Sequence, residues 1–395
     1  MPGIVGQGLT FNLPNYVGEL FEATPRETPF LSAIGGLTGG RPANATLFTW
    51  SGYDLRDADH NRQRHEGADA PTAEHRVRYS NHNVVEVHHE AVDISYTKQA
   101  ATGQFASLGS TNPAATSVAG ANNVMDEMTW QQQRALEQVA RDVELSFLVG
   151  DFNNPADNTD VRKTRGLLNA IATNAVDKAA LVAAGAAIDA AGVAAGLGAD
   201  GDVVIVRGDT TGAFVPERQY YVVGGGTGLA TTAGGAPIAP GVAGTIDVYS
   251  TEIATKDMVD DLMQLCFDNG GLAIQDTATV MVNSDLKRAL TKMYITDANY
   301  QEQTRNVGGV NLQTFETDFG VLNIMLNRHM PSGALAVVSL EECAPRFLPI
   351  PGKGHFFMEP LAKTGATDKA QLYGEIGLEY GNELKHAVIT GMRRA

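Results

Sequence analysis

The sequence has little of what marks an enzyme, a secreted protein or a membrane protein. Its 395 residues include only two cysteines, Cys266 and Cys343, with neither a CxxC pair nor the ligand spacing of a structural zinc site. Two lone cysteines of this kind favour free buried thiols over a disulfide. No run of eighteen or more apolar residues occurs, so the sequence predicts no membrane-spanning helix. The first residues, Met1 to Val5, lack the basic segment and apolar run of a secretory signal, and we expect synthesis in the cytoplasm.

Basic residues are also scarce relative to acidic ones. The chain has 29 Lys and Arg against 45 Asp and Glu, which gives a net charge of −16. Tight binding to a phosphate backbone needs a basic surface, so the charge argues against such a role. Two interpretations stay open. The charge can serve solubility, or it can form an acidic wall that repels nucleic acid and lets it slide.

Nucleotide-binding and hydrolase motifs are missing as well. The glycine-rich segments 35–41 and 224–228 lack the lysine and the spacing of a phosphate-binding loop, and neither contains a GxGxxG turn between strand and helix. No GxSxG nucleophile elbow occurs. We therefore assign no catalytic residue and no cofactor.

The histidines are clustered in one part of the sequence. Six of the nine histidines fall between His60 and His89, and the cluster ends in the run His88-His89-Glu90. A metal-dependent hydrolase that uses these histidines is one hypothesis. However, adjacent residues of a strand point to opposite faces, and no HExxH spacing is present. The favoured interpretation is an exposed polar ribbon without a metal site, and a pH-sensitive contact is a third.

Residues 1–53 have the pattern of an irregular arm. Short apolar groups such as Phe11, Tyr16-Val17 and Phe30-Leu31 are separated by prolines and glycines. Proline removes a hydrogen-bond donor and fixes φ, so no long helix or central strand is expected here. Because the apolar anchors are too many for a free tail, we expect an arm that docks onto another surface, of the same or another subunit.

The following residues, 54–100, predict a projecting β ribbon. Leu47 to Trp50 reads as a strand, a polar stretch follows from Asp54 to about His82, and a β-rich run extends from Val84 to Tyr96. A polar excursion that ends in such a run indicates a long two-stranded ribbon. Isolated ribbons are only marginally stable in water, so we expect this one to lie on a neighbour.

The clearest helix is predicted from about Asn122 to Val149. Its apolar residues recur on one helical face, and Gly150 is predicted to end it as a left-handed cap. The members of the apolar face are Val124, Met128, Leu136, Val139, Val143 and Phe147. At 1.5 Å per residue the helix is a strut of roughly 40 Å.

Residues 178–250 differ in composition from both flanks and are predicted to form a β-rich insertion. Alanine and glycine dominate, and charge is sparse. Strands are predicted at 202–206, 219–223 and 245–249. The alanine-rich start, 179–195, could instead be helical.

The remaining residues have a mixed α/β pattern. A capped amphipathic helix is predicted from Thr255 to Asp268, and a short helix begins at Ser284 and extends to Lys292. The predicted strands are 280–282, 321–326, 335–339, 371–380 and 386–390.

Two stretches of this chain carry a family resemblance. The first is RDVELSFLVG (141–150) followed by TRGLLNAI (164–171), and the second is PLAKTG (360–365) followed by GEIGLEYGNE (374–383). Together with the order of arm, ribbon, long helix, shorter helix and mixed α/β part, they resemble the tailed-bacteriophage major capsid protein, whose fold also forms the herpesvirus capsid floor. The resemblance spans most of the chain but not 178–250.

The resemblance implies an α+β fold with an N-terminal arm, an extended loop, a long spine helix, peripheral and axial domains, and here a β-rich insertion domain. The implied segments are the arm (1–53), the extended loop (54–100), the spine helix and peripheral domain (101–177), the insertion domain (178–250), a peripheral-domain helix (251–270), the axial domain (271–350) and the C-terminal peripheral-domain strands (351–395).

The implied function is that of a structural subunit, not an enzyme, in an icosahedral virion head that packages double-stranded DNA and is assembled in the host cytoplasm. The implied partners are the chain itself in hexamers and pentamers, a separate scaffolding protein, a portal and a decoration protein, with loose DNA contact and no membrane. Some relatives crosslink the loop through a lysine. Lys98 is the only candidate near it, and we expect no crosslink. A tail or sheath component is the alternative assembling protein.

Overall fold

The computed structural model describes eighteen ranges of residues. They are residues 27–53, 59–70, 72, 75, 78–96, 127–157, 159–178, 180–188, 203–207, 219–222, 230–231, 237–238, 244–250, 252–271, 279–296, 314–317, 319–362 and 365–394. The described helices are α1 (Pro29–Ala33), α2 (Glu127–Val149), α3 (Leu167–Ala170), α4 (Lys256–Asp268) and α5 (Ser284–Thr296).

The described residues also form 21 strands. They are β1 (Arg41–Pro42), β2 (Leu47–Tyr53), β3 (Arg78–Val84), β4 (Glu86–Ser95), β5 (Ala175–Asp177), β6 (Ala180–Ile188), β7 (Val203–Arg207), β8 (Gln219–Val222), β9 (Ala230–Thr231), β10 (Pro237–Ile238), β11 (Gly244–Ser250), β12 (Glu252–Ile253), β13 (Thr279–Val282), β14 (Thr314–Thr317), β15 (Gly320–Leu326), β16 (Leu335–Val338), β17 (Ala344–Phe347), β18 (Phe356–Pro360), β19 (Thr367–Glu379), β20 (Ala387–Thr390) and β21 (Met392–Arg393).

The described residues fall into two compact units. The smaller unit takes its described residues from His88–Arg141 and Phe356–Tyr373, and from Glu27 at its N-terminal end. The larger unit takes them from Thr28–Val87, Asp142–His355 and Gly374–Ala395. The boundaries between the units fall within β4, α2 and β19 and were not predicted from the sequence.

The main core of the larger unit lies on a mixed sheet. Six described strands form it in the order β14-β15-β13-β16-β20-β5. The four residues of β13, of β16 and of β20 are all buried, as expected for central strands that are covered on both faces. Helices α4 and α5 contribute Val259, Leu262, Met263, Leu286 and Leu290 to the same core. This core therefore joins residues that the sequence analysis divided among the segments 251–270, 271–350 and 351–395.

Helix α4 confirms the predicted start and end of an amphipathic helix. Thr255 caps it, because its side-chain oxygen accepts a hydrogen bond from the N–H of Met258 at 3.4 Å. Asp257 lies in the first turn, where the macrodipole favours an acid. Gly270, just past the end, has a φ of +82°, a left-handed conformation that glycine adopts without strain.

Helix α2 confirms the predicted strut from Glu127 onward, whereas 122–126 lie outside the described residues. Its buried face includes Ala135, Val139, Val143 and Phe147. Leu136, predicted on this face, is 41% exposed, so that prediction was wrong. It lies one residue, about 100° of helical turn, from the buried Ala135.

Gly150 ends α2 for a different reason than the one predicted. Its φ is not among the positive values recorded for the described glycines, so the left-handed cap was wrong. A Cβ at this position would lie 2.4 Å from the carbonyl oxygen of Ser146 and 2.6 Å from that of Thr164. The helix therefore needs glycine here because two backbone segments approach each other closely.

The insertion is built on its own antiparallel sheet. Four described strands of 178–250 form it in the order β6-β11-β7-β8, and β9 pairs with β10 separately. The strands predicted at 202–206, 219–223 and 245–249 are confirmed as β7, β8 and β11. The helical alternative for the alanine-rich start was wrong over Ala180–Ile188, which is β6. Alanine favours helix in isolation, but β11 pairs with β6 along its length, and such pairing overrides local preference. The register joins Ala180 to Ser250, so the two ends of the insertion are cross-strand neighbours.

In the part of the chain that the structure describes, no helix has the length and apolar character needed to cross a membrane.

Candidate functional site

The ribbon consists of β2 and β3, which pair antiparallel from Leu47–Val84 at the base to Tyr53–Arg78. The ribbon was predicted in 54–100, with Val84 to Tyr96 as its second strand. Its first strand instead begins at Leu47, and its second strand ends at Val84. Toward the far end, Tyr53 is 71% exposed, and nearly all residues of 59–70 are exposed. We call Tyr53, Arg78 and 59–70 the ribbon tip.

The base of the ribbon is fixed by a fully used amide. The buried side chain of Asn83 accepts hydrogen bonds from the N–H of Val84 at 2.9 Å and of Arg165 at 2.8 Å. Its amino group donates to the carbonyl of Leu378 at 2.7 Å and to that of Arg165 at 3.1 Å. Four hydrogen bonds are the full capacity of this amide, so the position of Asn83 is strongly specified.

A second set of buried contacts extends this joint. The N–H of Thr164 donates to the carboxylate of Glu86 at 3.1 Å, and the hydroxyl of Thr164 accepts from the N–H of Leu378 at 3.2 Å. Gly377 lies against the ribbon base so closely that a Cβ there would be 2.5 Å from the carbonyl oxygen of Val84. We call Asn83, Glu86, Thr164 and Gly377 the ribbon anchor.

Aromatic side chains add to the anchor. The indole N–H of Trp50 donates to the carbonyl of Gly381 at 2.8 Å, and its ring meets that of Tyr380 edge-on at 4.9 Å. The guanidinium of Arg165 lies 4.6 Å from the ring centre of Phe152 and donates to the Tyr380 hydroxyl at 3.4 Å. Burial raises the pKa of the Tyr380 phenol, and the nearby Arg165 opposes this shift.

The end of the N-terminal arm is held by a buried carboxylate. Glu144 of α2 accepts hydrogen bonds from the N–H of Phe30 at 3.0 Å, the N–H of Leu31 at 2.6 Å and the side-chain amide of Asn327 at 2.6 Å. Thr28, the N-cap of α1, makes no side-chain cap, so Glu144 takes its place. Burial raises the pKa of Glu144, and the three hydrogen bonds oppose the shift. We call Glu144 with Asn327 the arm socket.

The arm socket shows where two of the predicted docking anchors of the arm bind. Phe30 and Leu31, predicted as docking anchors, are buried within the same chain. Pro29 takes the first turn of α1, where its missing N–H costs nothing. The other predicted anchors, including Phe11 and Tyr16, lie outside the described residues.

The smaller unit carries a cross-strand row of polar and aromatic side chains. His89 hydrogen-bonds to Gln371 at 3.1 Å, and Gln371 donates to Glu359 at 3.4 Å. The ring of Tyr373 contacts that of His89 at 5.8 Å and that of Phe357 at 5.8 Å. A cleft of about 420 Å³ lies in the same unit, lined by Glu90, Ala91, Val92, Asp93, Gln131, Arg134, Ala135 and Gln138.

The clustered histidines are not brought together as a metal site. Among the described residues, no three His, Cys, Asp or Glu side chains form a group that could hold a metal ion. His60, His65 and His82 are exposed, and His82 packs on Phe152 while His89 bonds Gln371. The hydrolase hypothesis therefore has no support from the described histidines.

The two cysteines are free and buried, as predicted. Burial raises the pKa of Cys266 to about 11. Burial, together with the carboxylates of Glu342 and Glu379, raises the pKa of Cys343 further. Thiolate is the reactive form of cysteine, so both thiols are poor nucleophiles near neutral pH.

Sequence reasoning missed the residues that carry these joints. Glu144 lies four residues before the buried Leu148 and beside Val143, so an acid on the apolar side of the helix was the available signal. Asn83 has no comparable signal, because its partners Arg165 and Leu378 are distant in sequence.

Comparison with known proteins gives a consistent result. A family model described as SU10 major capsid protein matches residues 3–393. The chain is similar in structure to the capsid of cyanophage A-1(L), with a TM-score of 0.55 and 12% identity over 98% of this chain and 99% of that chain. It is also similar to the capsid of the native GTA particle (TM-score 0.50, 14% identity, 98% and 96% covered) and of cyanophage P-SCSP1u (0.50, 11%, 100% and 99%). At these identities the likeness concerns the fold. No curated protein matches the sequence.

Proposed function

Because the chain belongs to the SU10 major capsid protein family, we propose that its copies form hexamers and pentamers that close into an icosahedral head around double-stranded DNA. The chain is a structural protein of a tailed-phage capsid, and its place is the virion head. Assembly takes place in the host cytoplasm, and the direct contacts that close the shell are those between copies of the chain.

The observation that carries this proposal is the contrast along the ribbon. Its base is fixed by the hydrogen bonds of Asn83 and by the close approach of Gly377. Its tip exposes Tyr53 and the polar stretch 59–70. A two-stranded ribbon gains little stability of its own in water, so a rigid base with an exposed tip supports a tip that rests on a neighbouring subunit. Many such modest contacts, repeated by symmetry, add up in a closed shell.

The proposed roles of the other segments follow the same order. The loop 54–100 lies over the neighbouring subunit, the arm reaches beneath adjacent subunits, and 271–350 packs around the five-fold and six-fold axes. The insertion 178–250 faces outward, because an inward module would occupy space that DNA needs.

We propose a purely structural, non-catalytic role. The raised pKa values of the two buried cysteines and the dispersed histidines of the ribbon support it. The net charge of −16 supports loose, non-specific DNA contact, because an acidic wall repels the phosphate backbone. A separate scaffolding protein, a portal and a decoration protein complete the proposed set of partners. Lys98 lies outside the described residues, and the absence of a crosslink stays a prediction.

The test is a charged substitution at the ribbon tip. Tyr53→Asp should leave the denaturant midpoint of the subunit unchanged, because the side chain is exposed, and should reduce particle yield at least tenfold by removing an aromatic interface contact. Size-exclusion chromatography with electron microscopy measures the yield.

The matched control is Val161→Asp, at another exposed apolar residue that lies off the ribbon and is 65% exposed. It should retain near-normal particle yield. Normal assembly of the Tyr53→Asp protein, or equal loss in both variants, would contradict a specific role for the ribbon tip.

A further inference from the structure

His386 is a fully buried histidine whose polar groups are all in use. Its Nδ1 accepts a hydrogen bond from the N–H of Ser339 at 3.3 Å. A backbone N–H can only donate, so Nδ1 is unprotonated, and Nε2 carries the hydrogen that it donates to the carbonyl of Tyr380 at 2.9 Å. The geometry therefore fixes the neutral ring in one tautomer.

The backbone N–H and carbonyl of His386 are both hydrogen-bonded as well. Its N–H donates to the carbonyl of Glu383 at 3.0 Å, and its carbonyl accepts from the Asn174 amide at 3.0 Å. Asn174 also donates to Leu384 at 2.9 Å and accepts from Asn269, just past the end of α4, at 2.6 Å. The ring thus lies where the ends of β16, β19 and α4 meet the start of β20.

Protonation is incompatible with this arrangement. A second proton on Nδ1 would face the N–H of Ser339, so two donors would meet with no acceptor between them. The imidazolium would also be a buried charge. The hydrogen bond from Ser339, at the end of β16, to the ring of His386 would be lost.

Three charged side chains act on the ring from the elements around it. Glu342, in the 3-10 turn Leu340–Glu342 after β16, and Glu383 favour the protonated ring, whereas Lys385 opposes it. Glu342 and Lys385 pair with each other at 2.6 Å. Burial outweighs both carboxylates and lowers the pKa of His386 below its usual 6.5.

We propose that His386 is a pH-sensitive latch, which in its neutral form holds the end of β16 to the turn after β19 and which releases this joint when the ring takes up a proton. The latch acts within one subunit and does not depend on the proposed assembly. In a shell built from such subunits, release of the joint would loosen the shell in mild acid.

The direction of the pH effect follows from linkage. The unfolded chain takes up the proton at the ordinary histidine pKa, whereas the folded chain resists it, so the stability conferred by the latch is present above pH 6.5 and is lost as the pH falls below that value. One such proton raises the unfolding constant up to about tenfold per pH unit in this range.

Trp50 is a reporter next to the latch, since its indole bonds Gly381 and its ring contacts Tyr380. In a Trp130→Phe background Trp50 is the only tryptophan of the chain. Denaturant unfolding of this full-length protein, followed by Trp50 fluorescence at pH 7.5 and 5.5, gives the acid-induced loss of stability. His386→Asn should be less stable at pH 7.5, but should lose at least threefold less in unfolding constant on acidification than its parent. His89→Asn, at an exposed histidine, should retain the parent's loss.

Two further variants separate the latch from a merely structural role, and both break the same partly exposed ion pair. The pH at which the acid-induced loss levels off is the pKa of the folded ring, so these variants are unfolded over a pH series that extends to that point. Glu342→Gln removes a charge that helps the imidazolium, and should move the levelling-off to lower pH. Lys385→Gln removes a charge that opposes it, and should move the levelling-off to higher pH. Opposite shifts support the latch even if His386→Asn does not fold. The same levelling-off pH in the two variants and in the parent would overturn it.

Discussion

The anchor and the tip of the ribbon differ in how deeply their side chains are buried. At the anchor, Asn83 uses its full hydrogen-bonding capacity on Val84, Arg165 and Leu378. At the tip, Tyr53 and 59–70 present their side chains to solvent. Buried polar groups are costly unless paired, so a fold completes them within the chain. An exposed aromatic has no such requirement and is available to another subunit. The anchor contacts therefore stabilise the subunit, and the tip is the part of the ribbon for which we propose contacts with another subunit.

The largest effect is expected at the arm socket, which is completed within the chain like the anchor. Glu144→Ala leaves the N–H groups of Phe30 and Leu31 and the Asn327 amide without their common acceptor. Denaturant unfolding should show a loss of about 3–5 kcal/mol, the scale for removing one partner of a buried charged network. Glu137→Ala, on the partly exposed surface of the same helix, is the control and should cost under about 1 kcal/mol. A loss below 1 kcal/mol for Glu144→Ala would mean that the socket does not hold the arm.

A pair of glycines tests the comparison along the ribbon itself. A Cβ on Gly377, at the anchor, would meet the backbone oxygen of Val84 at 2.5 Å. A Cβ on Gly52, near the tip, would meet the ring of Tyr79, an exposed side chain that can rotate away. Gly377→Ala should therefore lower the unfolding free energy by about 1–3 kcal/mol, as overpacking does, and Gly52→Ala by clearly less. Equal losses, measured by denaturant unfolding, would remove the distinction between anchor and tip.

The smallest effect on the subunit is expected from removing the insertion. The paired strands β6 and β11 bring Ala180 and Ser250 side by side, about 5 Å apart, so a short Gly-Ser linker can replace 181–249. The unfolding free energy of the remaining chain should change by less than about 0.5 kcal/mol. The reason is that the described strands of the β6-β11-β7-β8 sheet pair with one another. A replacement of the same segment that keeps β6 and β11 and removes 190–243 is the control. Loss of particles in the full excision alone would place β6 and β11 among the assembly contacts.

Elements with strong local signals were predicted well from the sequence. Helix α4 was predicted from Thr255 to Asp268 and observed from Lys256, because capping and apolar period agree there. The strands at 280–282 and 335–339 were confirmed within a residue at each end, as expected for short apolar runs that are buried on both faces. The family and the capsid role, inferred from the order of elements and two motif regions, were also confirmed.

The parts that were wrong or missed depend on contacts between distant residues. The helical alternative for 180–188 failed because β11 pairs with that segment from 56 or more residues away. The role of Gly150 depends on Thr164, and that of Glu144 on Phe30 and Asn327. Neither the hydrophobic periodicity of a segment nor its capping residues indicate which distant residues it will contact. The same holds for His386, which reads as an ordinary strand-edge histidine until Ser339 and Tyr380 are placed around it.

The most direct test of the central claim is electron microscopy of the purified full-length chain. The account predicts closed shells or ring-shaped capsomers in the wild-type protein, and their loss in the Tyr53→Asp protein while the subunit stays folded. A monodisperse wild-type monomer of 41.8 kDa at high protein concentration, or tubes and fibres in place of closed shells, would contradict it.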